Sequence, residues 1–375
     1  MLEKFYNNFK NYWRDLDKTI FLSFLVLFIL GIFFSFASTS TLAGERLNKD
    51  YYFFFSKHLT FAICSIFVMI AISWFQTNLL KKLLAPIFLV LLITLFLVLF
   101  FGVEVKGSKR WLDLIFFRFQ PIEFLKPFFI VIIAQILSKE NLIPTNSSYL
   151  LSFLCLIIPS IILLNQPDVG QTILLVLSWS AIVFVSGIKL IYIFSLFGLA
   201  LSFIAALLFF LPDKFSYVFR RIEVFFDPSK GERFQSTKAL DAIKEGGLTG
   251  QGMGEGTLKD NVPEAHTDYV ISVIAEEFGS IISIFLICIF LYIAFKVIKY
   301  ALLNDNRFIK ISLCGLASLL IFQTFIHIGV NTSLLPTTGM TLPFLSYGGS
   351  SMLGSAMLAG IILNFTKKNI INEKF

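Results

Sequence analysis

Four polar side chains stand within five residues at the edge of an apolar run: Glu264, His266, Thr267 and Asp268, in Pro263-Glu264-Ala265-His266-Thr267-Asp268-Tyr269. A carboxylate there is partly desolvated, which strengthens it as a base for a hydroxyl proton. Asp268 is the candidate. Thr267 or Asp268 could equally cap the helix that follows. Glu276 lies eight residues on, near the same helical face and roughly 12 Å deeper. With Glu277 it is expected inside, paired or lining a cavity. Glu123 and Lys126 are three apart, so on a helix they share a face and can pair. Such a pair is either structural or part of a substrate cavity. Arg110-Trp111 can bind a phosphate with the indole at headgroup level, or act as an interfacial anchor alone. Asp168, between Pro167 and Gly170, reads as a helix cap.

Two further stretches carry unusual backbone. Gly246–Gly256 holds six glycines in eleven residues. It reads as an approach for an anionic group or as a flexible link. It is not a P-loop, because no Gly-Lys-Ser/Thr follows. Leu335–Ser351 contains Pro336, Pro343 and three glycines within apolar sequence. Broken backbone at membrane depth is tolerated only where it is buried in protein or lines a cavity. Close helix packing is the plainer role for these small residues.

The elements that must position these groups follow from composition. Of 375 residues, 57% are hydrophobic and 15% charged, with mean hydropathy +0.82. A soluble domain with that balance lacks the polar surface to cover itself. The chain reads as an all-α polytopic membrane protein, one integral domain over 1–375. About 20 apolar residues per span give ten transmembrane helices: 18–40, 57–75, 83–101, 121–137, 148–164, 169–186, 188–211, 268–298, 308–334 and 343–365. The net charge of +7 reads as membrane-surface anchoring, with no nucleic-acid partner. The 46 phenylalanines read as lipid-facing bulk. Cys64, Cys155, Cys288 and Cys314 lie in apolar runs and read as small buried side chains.

Lys and Arg in short loops favour both termini on the cytoplasmic side, fifteen against seven once the long loop 212–267 is set aside. That loop, between helices 7 and 8, then lies outside the cytoplasm. It carries eight basic and nine acidic residues, the density of a folded soluble segment. It is expected to hold part of the active site.

Together the motifs resemble one family. Pro336–Ser351, Pro263-Glu264-Ala265-His266-Thr267-Asp268 and Ala275-Glu276-Glu277-Phe278-Gly279 are similar to the shape, elongation, division and sporulation (SEDS) family, the RodA/FtsW-type peptidoglycan polymerases. Arg110-Trp111, Gln120-Pro121-Ile122-Glu123 with Lys126, Gln166-Pro167-Asp168 and Gly246–Gly256 support it. Leu335–Pro343 and Glu264-Ala265-His266 lean toward the division branch, FtsW. Ile122 departs from the small hydroxyl residue usual in the family. The resemblance covers essentially the whole chain.

It implies a peptidoglycan glycosyltransferase on the outer face of the bacterial cytoplasmic membrane. Lipid II, a disaccharide-pentapeptide on undecaprenyl diphosphate, would be polymerised into septal glycan strands. The implied catalytic aspartate is Asp268. Arg110, Arg220, Arg221 and Lys126 are candidates to stabilise the diphosphate leaving group. Trp111, Glu123, Glu264, His266, Thr267, Glu276 and Ser346 complete the candidate substrate-binding set. A divalent cation, Mg2+ or Mn2+, could share that load, though no metal-ligand cluster stands out. The implied partners are a class B penicillin-binding transpeptidase and other division proteins. Two competing readings are a lipid II flippase, which would depend on Glu123 and Lys126, and a non-enzymatic division scaffold, which would be indifferent to Asp268.

Overall fold

The computed structural model describes residues 10–37, 53–105, 107–114, 118–138, 146–189, 191–192, 195, 198, 202, 221, 223–226 and 234–368. Its helices are α1 (Lys18–Ala37), α2 (Phe53–Trp74), α3 (Thr77–Phe101), α4 (Pro121–Leu137), α5 (Asn146–Asn165), α6 (Val169–Val185), α7 (Phe234–Gly246), α8 (Val270–Leu303), α9 (Arg307–Asn331) and α10 (Gly349–Phe365). Six of these, α1, α2, α3, α5, α8 and α9, are long and apolar enough to cross a membrane by themselves. Helices α4, α6 and α10 have 17 residues each. Nine of the ten expected spans thus coincide with helices. The remaining one, 188–211, lies almost wholly outside the described residues.

The helices alternate between two ends. Tyr12–Ser73, Tyr300–Asp17, Thr77–Asn364 and Arg307–Ser186 contacts gather the first end. The segments joining α3 to α4 and α5 to α6, the start of α8 and the end of α9 gather the other. Helices α4, α9 and α10 sit innermost, and even Glu123 and Lys126 of α4 are buried. Several starts are set locally. Pro121 stands in the first turn of α4, where its missing N–H costs nothing. Asn306 caps α9 by accepting from Phe308 and Ile309 N–H at 3.1 and 3.4 Å.

The all-α class holds, and three expectations change. The helical fold also carries one small antiparallel sheet, β1 (Val103–Val105), β2 (Ser108–Asp113) and β3 (Arg118–Phe119), between α3 and α4. Strands this short leave only a weak alternation in sequence. Span ten begins at Gly349, not 343, because Pro336–Gly348 is a packed loop. Phe344 of that loop sits among Phe24 and Phe28 of α1, with ring centroids 5.4 and 5.0 Å away. Phenylalanine serves both surfaces: Phe67, Phe101 and Phe295 are exposed, whereas Phe24, Phe129 and Phe290 are buried. Of the four free cysteines only Cys314 is buried, and Cys64 and Cys288 are exposed on apolar helix faces. In a membrane an apolar residue need not be covered by protein.

Helix α8 breaks at Gly279, with φ 81° and ψ 172°. The break leaves backbone groups unpaired within the helix, and the glycine-rich stretch takes them. Gln251 and Gly252 N–H donate to the Glu276 and Glu277 carbonyls at 2.9 and 3.0 Å. Ser280 and Ile281 N–H donate to Gly247 and Leu248 carbonyls at 3.0 and 3.3 Å. A Cβ at Gly246, Gly250 or Gly279 would overlap facing backbone. The stretch is therefore neither an anion cradle nor a loose link. It is backbone docked on backbone, which only glycine permits. Gly279→Ala adds left-handed strain of about 1–3 kcal/mol on top of that overlap. A lowered Tm of the purified protein in detergent is the expected result.

Candidate active site

Arg110 is the one buried residue of β2. It lies opposite the register shift between Val103, paired with Trp111, and Glu104, paired with Lys109. Its Nε donates to the Gln166 carbonyl at 3.3 Å and lies 3.6 Å from Asp168 Oδ2. Its Nη2 donates to the Pro167 carbonyl. Asp168 caps α6, as its position predicts, with Oδ1 3.4 Å from Gln171 N. Burial raises the Asp168 carboxyl against the opposing pull of Arg110. Trp111 is half-buried beside it.

Asp268 stands one residue before the N-cap of α8. That cap is Tyr269, and it makes no side-chain capping bond. The N-cap position thus falls at Tyr269, one residue after Asp268 and two after Thr267. The turn bearing them starts at Glu264, whose φ of 58° is left-handed. The Glu264 carbonyl accepts Thr267 and Asp268 N–H at 3.0 and 3.1 Å. Thr267 Oγ1 donates to Glu264 Oε2 at 3.0 Å. The Pro336–Gly348 loop holds the turn from the other side. Ser346 Oγ donates to the Thr267 carbonyl at 2.6 Å and accepts Leu342 N–H at 2.7 Å. Tyr347 N donates to the His266 carbonyl at 2.8 Å. His266 stacks on Phe54 at 5.7 Å.

Gly339 brings the two halves together. Its φ is 70°, and a Cβ there would stand 3.5 Å from Asp268 Oδ2 and 3.9 Å from Arg110 Nη1. A half-buried carboxylate and a guanidinium thus both flank one glycine. Arg221 is within electrostatic reach. Burial and the Asp268 carboxylate raise the Tyr269 phenol, while Arg221 opposes them. Arg220 lies outside the described residues. Among the described residues no three His, Cys, Asp or Glu side chains are grouped to hold a metal ion. The cations the chain itself brings to this end include Arg110 and Arg221.

Three positioning residues escape a reading of the sequence for charge: Gln323, His327 and Asn331. They recur every fourth position on α9 and line one face. Gln323 Nε2 donates to the Thr341 carbonyl at 3.1 Å. His327 Nδ1 is 2.8 Å from the Met340 carbonyl, and Asn331 Nδ2 donates to the Asp268 carbonyl at 3.0 Å. This ladder fixes the Gly339 loop and the Asp268 turn to one rigid helix. The signal was present as polar residues at four-residue spacing in an apolar span.

Glu123 and Lys126 pair at 2.8 Å, as their spacing predicts. Gln171 Nε2 donates to Glu123 at 2.7 Å, and Lys126 donates to Gln323 Oε1 at 3.2 Å. The pair therefore joins the foot of the ladder beside a small cavity lined by Pro127, Pro343 and Phe344. Glu276 is fully buried, and its Oε1 accepts Leu258 N–H at 2.7 Å. Its contacts hold the 254–262 segment rather than the Gly339 group.

Apolar helices with their charges paired inside, and a carboxylate–guanidinium site at one end, define a multi-pass helical membrane protein. The chain belongs to the FtsW/RodA/SpoVE family, whose model, described as a cell cycle protein, matches residues 17–370. It is 34% identical over 358 residues to a probable peptidoglycan glycosyltransferase FtsW of Caulobacter vibrioides, covering 95% of this chain and 90% of that one. A relative of the same name from Haemophilus influenzae is 32% identical, covering 94% and 91%. Two solved structures share the fold at 23% identity. One is a chain of a peptidoglycan synthase complex that coordinates polymerization and crosslinking, with TM-score 0.78 over 96% of this chain and 99% of that one. The other is the rod shape determining protein RodA of Thermus thermophilus, with TM-score 0.69 over 94% and 97%.

Lys126→Met leaves the Glu123 carboxylate buried and unpaired, at a cost of about 3–5 kcal/mol. The double variant Glu123→Gln/Lys126→Met recovers most of that loss. Unfolding of both variants in detergent checks the coupling.

Proposed function

We propose that the chain is a peptidoglycan glycosyltransferase that polymerises lipid II into septal glycan strands at the outer face of the bacterial cytoplasmic membrane. The observation that carries this reading is that Asp268 and Arg110 both flank Gly339. The names of the 30–34% identical relatives support the activity and the division role.

Asp268 accepts the proton of the acceptor hydroxyl as that oxygen attacks the anomeric carbon of the donor. The donor's bond to its diphosphate breaks, and the lipid diphosphate leaves with the bonding electrons. Arg110 Nη1 and Arg221 face the developing negative charge. Arg110 is already fixed by the Gln166 and Pro167 carbonyls, so it needs little reorganisation during reaction. Lys126 is engaged with Glu123 and Gln323 and acts on the loop instead. Thr267, Glu264, His266 and Ser346 set the turn that presents Asp268, and Trp111 follows Arg110 on β2. The segment 212–267 contributes Glu264, His266 and Thr267 to this site, and its α7 and glycine stretch pack against α8.

Basic residues at the opposite end, among them Lys18, Lys81, Lys82, Arg307, Lys310 and Lys367, support a cytoplasmic location for that end and both termini. The partner is a class B penicillin-binding transpeptidase that crosslinks the strands as they emerge. The structural likeness to a polymerizing and crosslinking complex supports it.

The test is lipid II polymerisation by the purified protein with its cognate transpeptidase. Asp268→Asn keeps the shape of the side chain and removes the base. It is expected to lower the rate by at least about 100-fold with an unchanged Tm. Equal product from both proteins would remove Asp268 from the mechanism and favour a scaffold. Loss of function confined to Glu123 and Lys126 variants would favour transport.

A further inference from the structure

Lys259 is a lysine only 7% exposed, in a 3-10 turn over Lys259–Asn261 that leads directly into the Asp268 turn. Lysine is almost never buried without a partner. Here Nζ donates to Glu277 Oε1. Glu276, adjacent on α8 and 0% exposed, accepts the backbone N–H of Leu258 at 2.7 Å. Lys259 also acts electrostatically on both carboxylates. One lysine thus answers two buried carboxylates.

These contacts close a ring around the first part of α8. On one side the glycine stretch is hydrogen-bonded to the helix at Glu276, Glu277, Ser280 and Ile281. On the other, Leu258 and Lys259 hold the Glu276 and Glu277 side chains. Gly256 fits between, since a Cβ there would lie 2.9 Å from Glu276 Cδ. The Gly279 break separates Val270–Phe278 from the rest of the helix. That short segment is therefore held by the surrounding loop as well as by α9, and Asp268 stands just ahead of it.

We propose that Lys259 is a positioning residue: by clasping Glu277 it fixes the α8 segment that presents Asp268 to the acceptor hydroxyl. The inference rests on the polymerase reading of the same site. The clasp leaves substrate contacts untouched and sets only where the carboxylate stands. A displacement of about 1 Å at a reacting group can cost on the order of 100-fold in rate.

The experiment compares wild type, Lys259→Met and Lys259→Arg as full-length protein with the cognate transpeptidase. Polymerisation is measured against lipid II concentration. Amide hydrogen exchange is measured on the same samples without substrate. Lys259→Met is expected to lose about 100-fold in kcat, with KM within about twofold. Amides of Gln251, Gly252 and Leu258 are expected to exchange at least about tenfold faster, with α4 and α9 unchanged. Lys259→Arg restores both, because a cation again meets Glu277. A kcat within about twofold of wild type, or unchanged exchange at 251–258, overturns the proposal. An equal rise in exchange across α4 and α9 also overturns it, since that marks general loss of stability. If Lys259→Met does not fold, Glu277→Gln takes its place with the same expectations. If wild type makes no glycan strands, the polymerase reading has failed, and the exchange result alone decides the clasp.

Discussion

The buried guanidinium of Arg110 ties together the end of the bundle where the site lies. It comes from a strand between α3 and α4, and it is bound by two carbonyls and a carboxylate at the α5–α6 turn. Its remaining amino group lies beside Gly339, which the Asp268 carboxylate also flanks. A buried charge is stable only when paired and hydrogen-bonded. The partners that satisfy Arg110 therefore also fix β2 to the α5–α6 turn.

The same rule works deeper in the bundle. Without water to satisfy them, Glu123, Lys126, Gln171 and Gln323 bond to one another. Gln323 passes that restraint to the Gly339 loop, and Asn331 passes it to the Asp268 turn. The α9 ladder makes the loop and the turn parts of one rigid unit. Directional bonds at membrane depth do here what hydrophobic burial does in a soluble core, because lipid gives helices no hydrophobic drive to associate. A site built on such a frame is preorganised, and electrostatic stabilisation of a leaving group depends on that.

The α8 break adds a second kind of restraint. Gly279 sacrifices helical continuity and gains a docking edge for the glycine-rich segment. The close approaches at Gly246 and Gly250 show that backbone contact, not flexibility, is what those glycines supply. Glu276 and Glu277, adjacent carboxylates in an apolar span, find their purpose there as anchors for the 254–262 segment.

The sequence by itself determined the class, nine of the spans, the Glu123–Lys126 pair, the Asp168 cap and Asp268 as the candidate base. Each is a local signal: a run of apolar residues, a spacing of three, or a carboxylate beside a helix start. The small sheet, the α9 ladder, the docked glycine stretch and the Lys259 clasp were decided only by tertiary structure. Gln323, His327 and Asn331 are uncharged, and their partners lie in the loop and turn they hold. Lys259 and Glu277 are 18 residues apart in sequence, with the Asp268 turn and the start of α8 between. Pairing across such distances depends on which surfaces meet, and spacing along the chain carries no record of that.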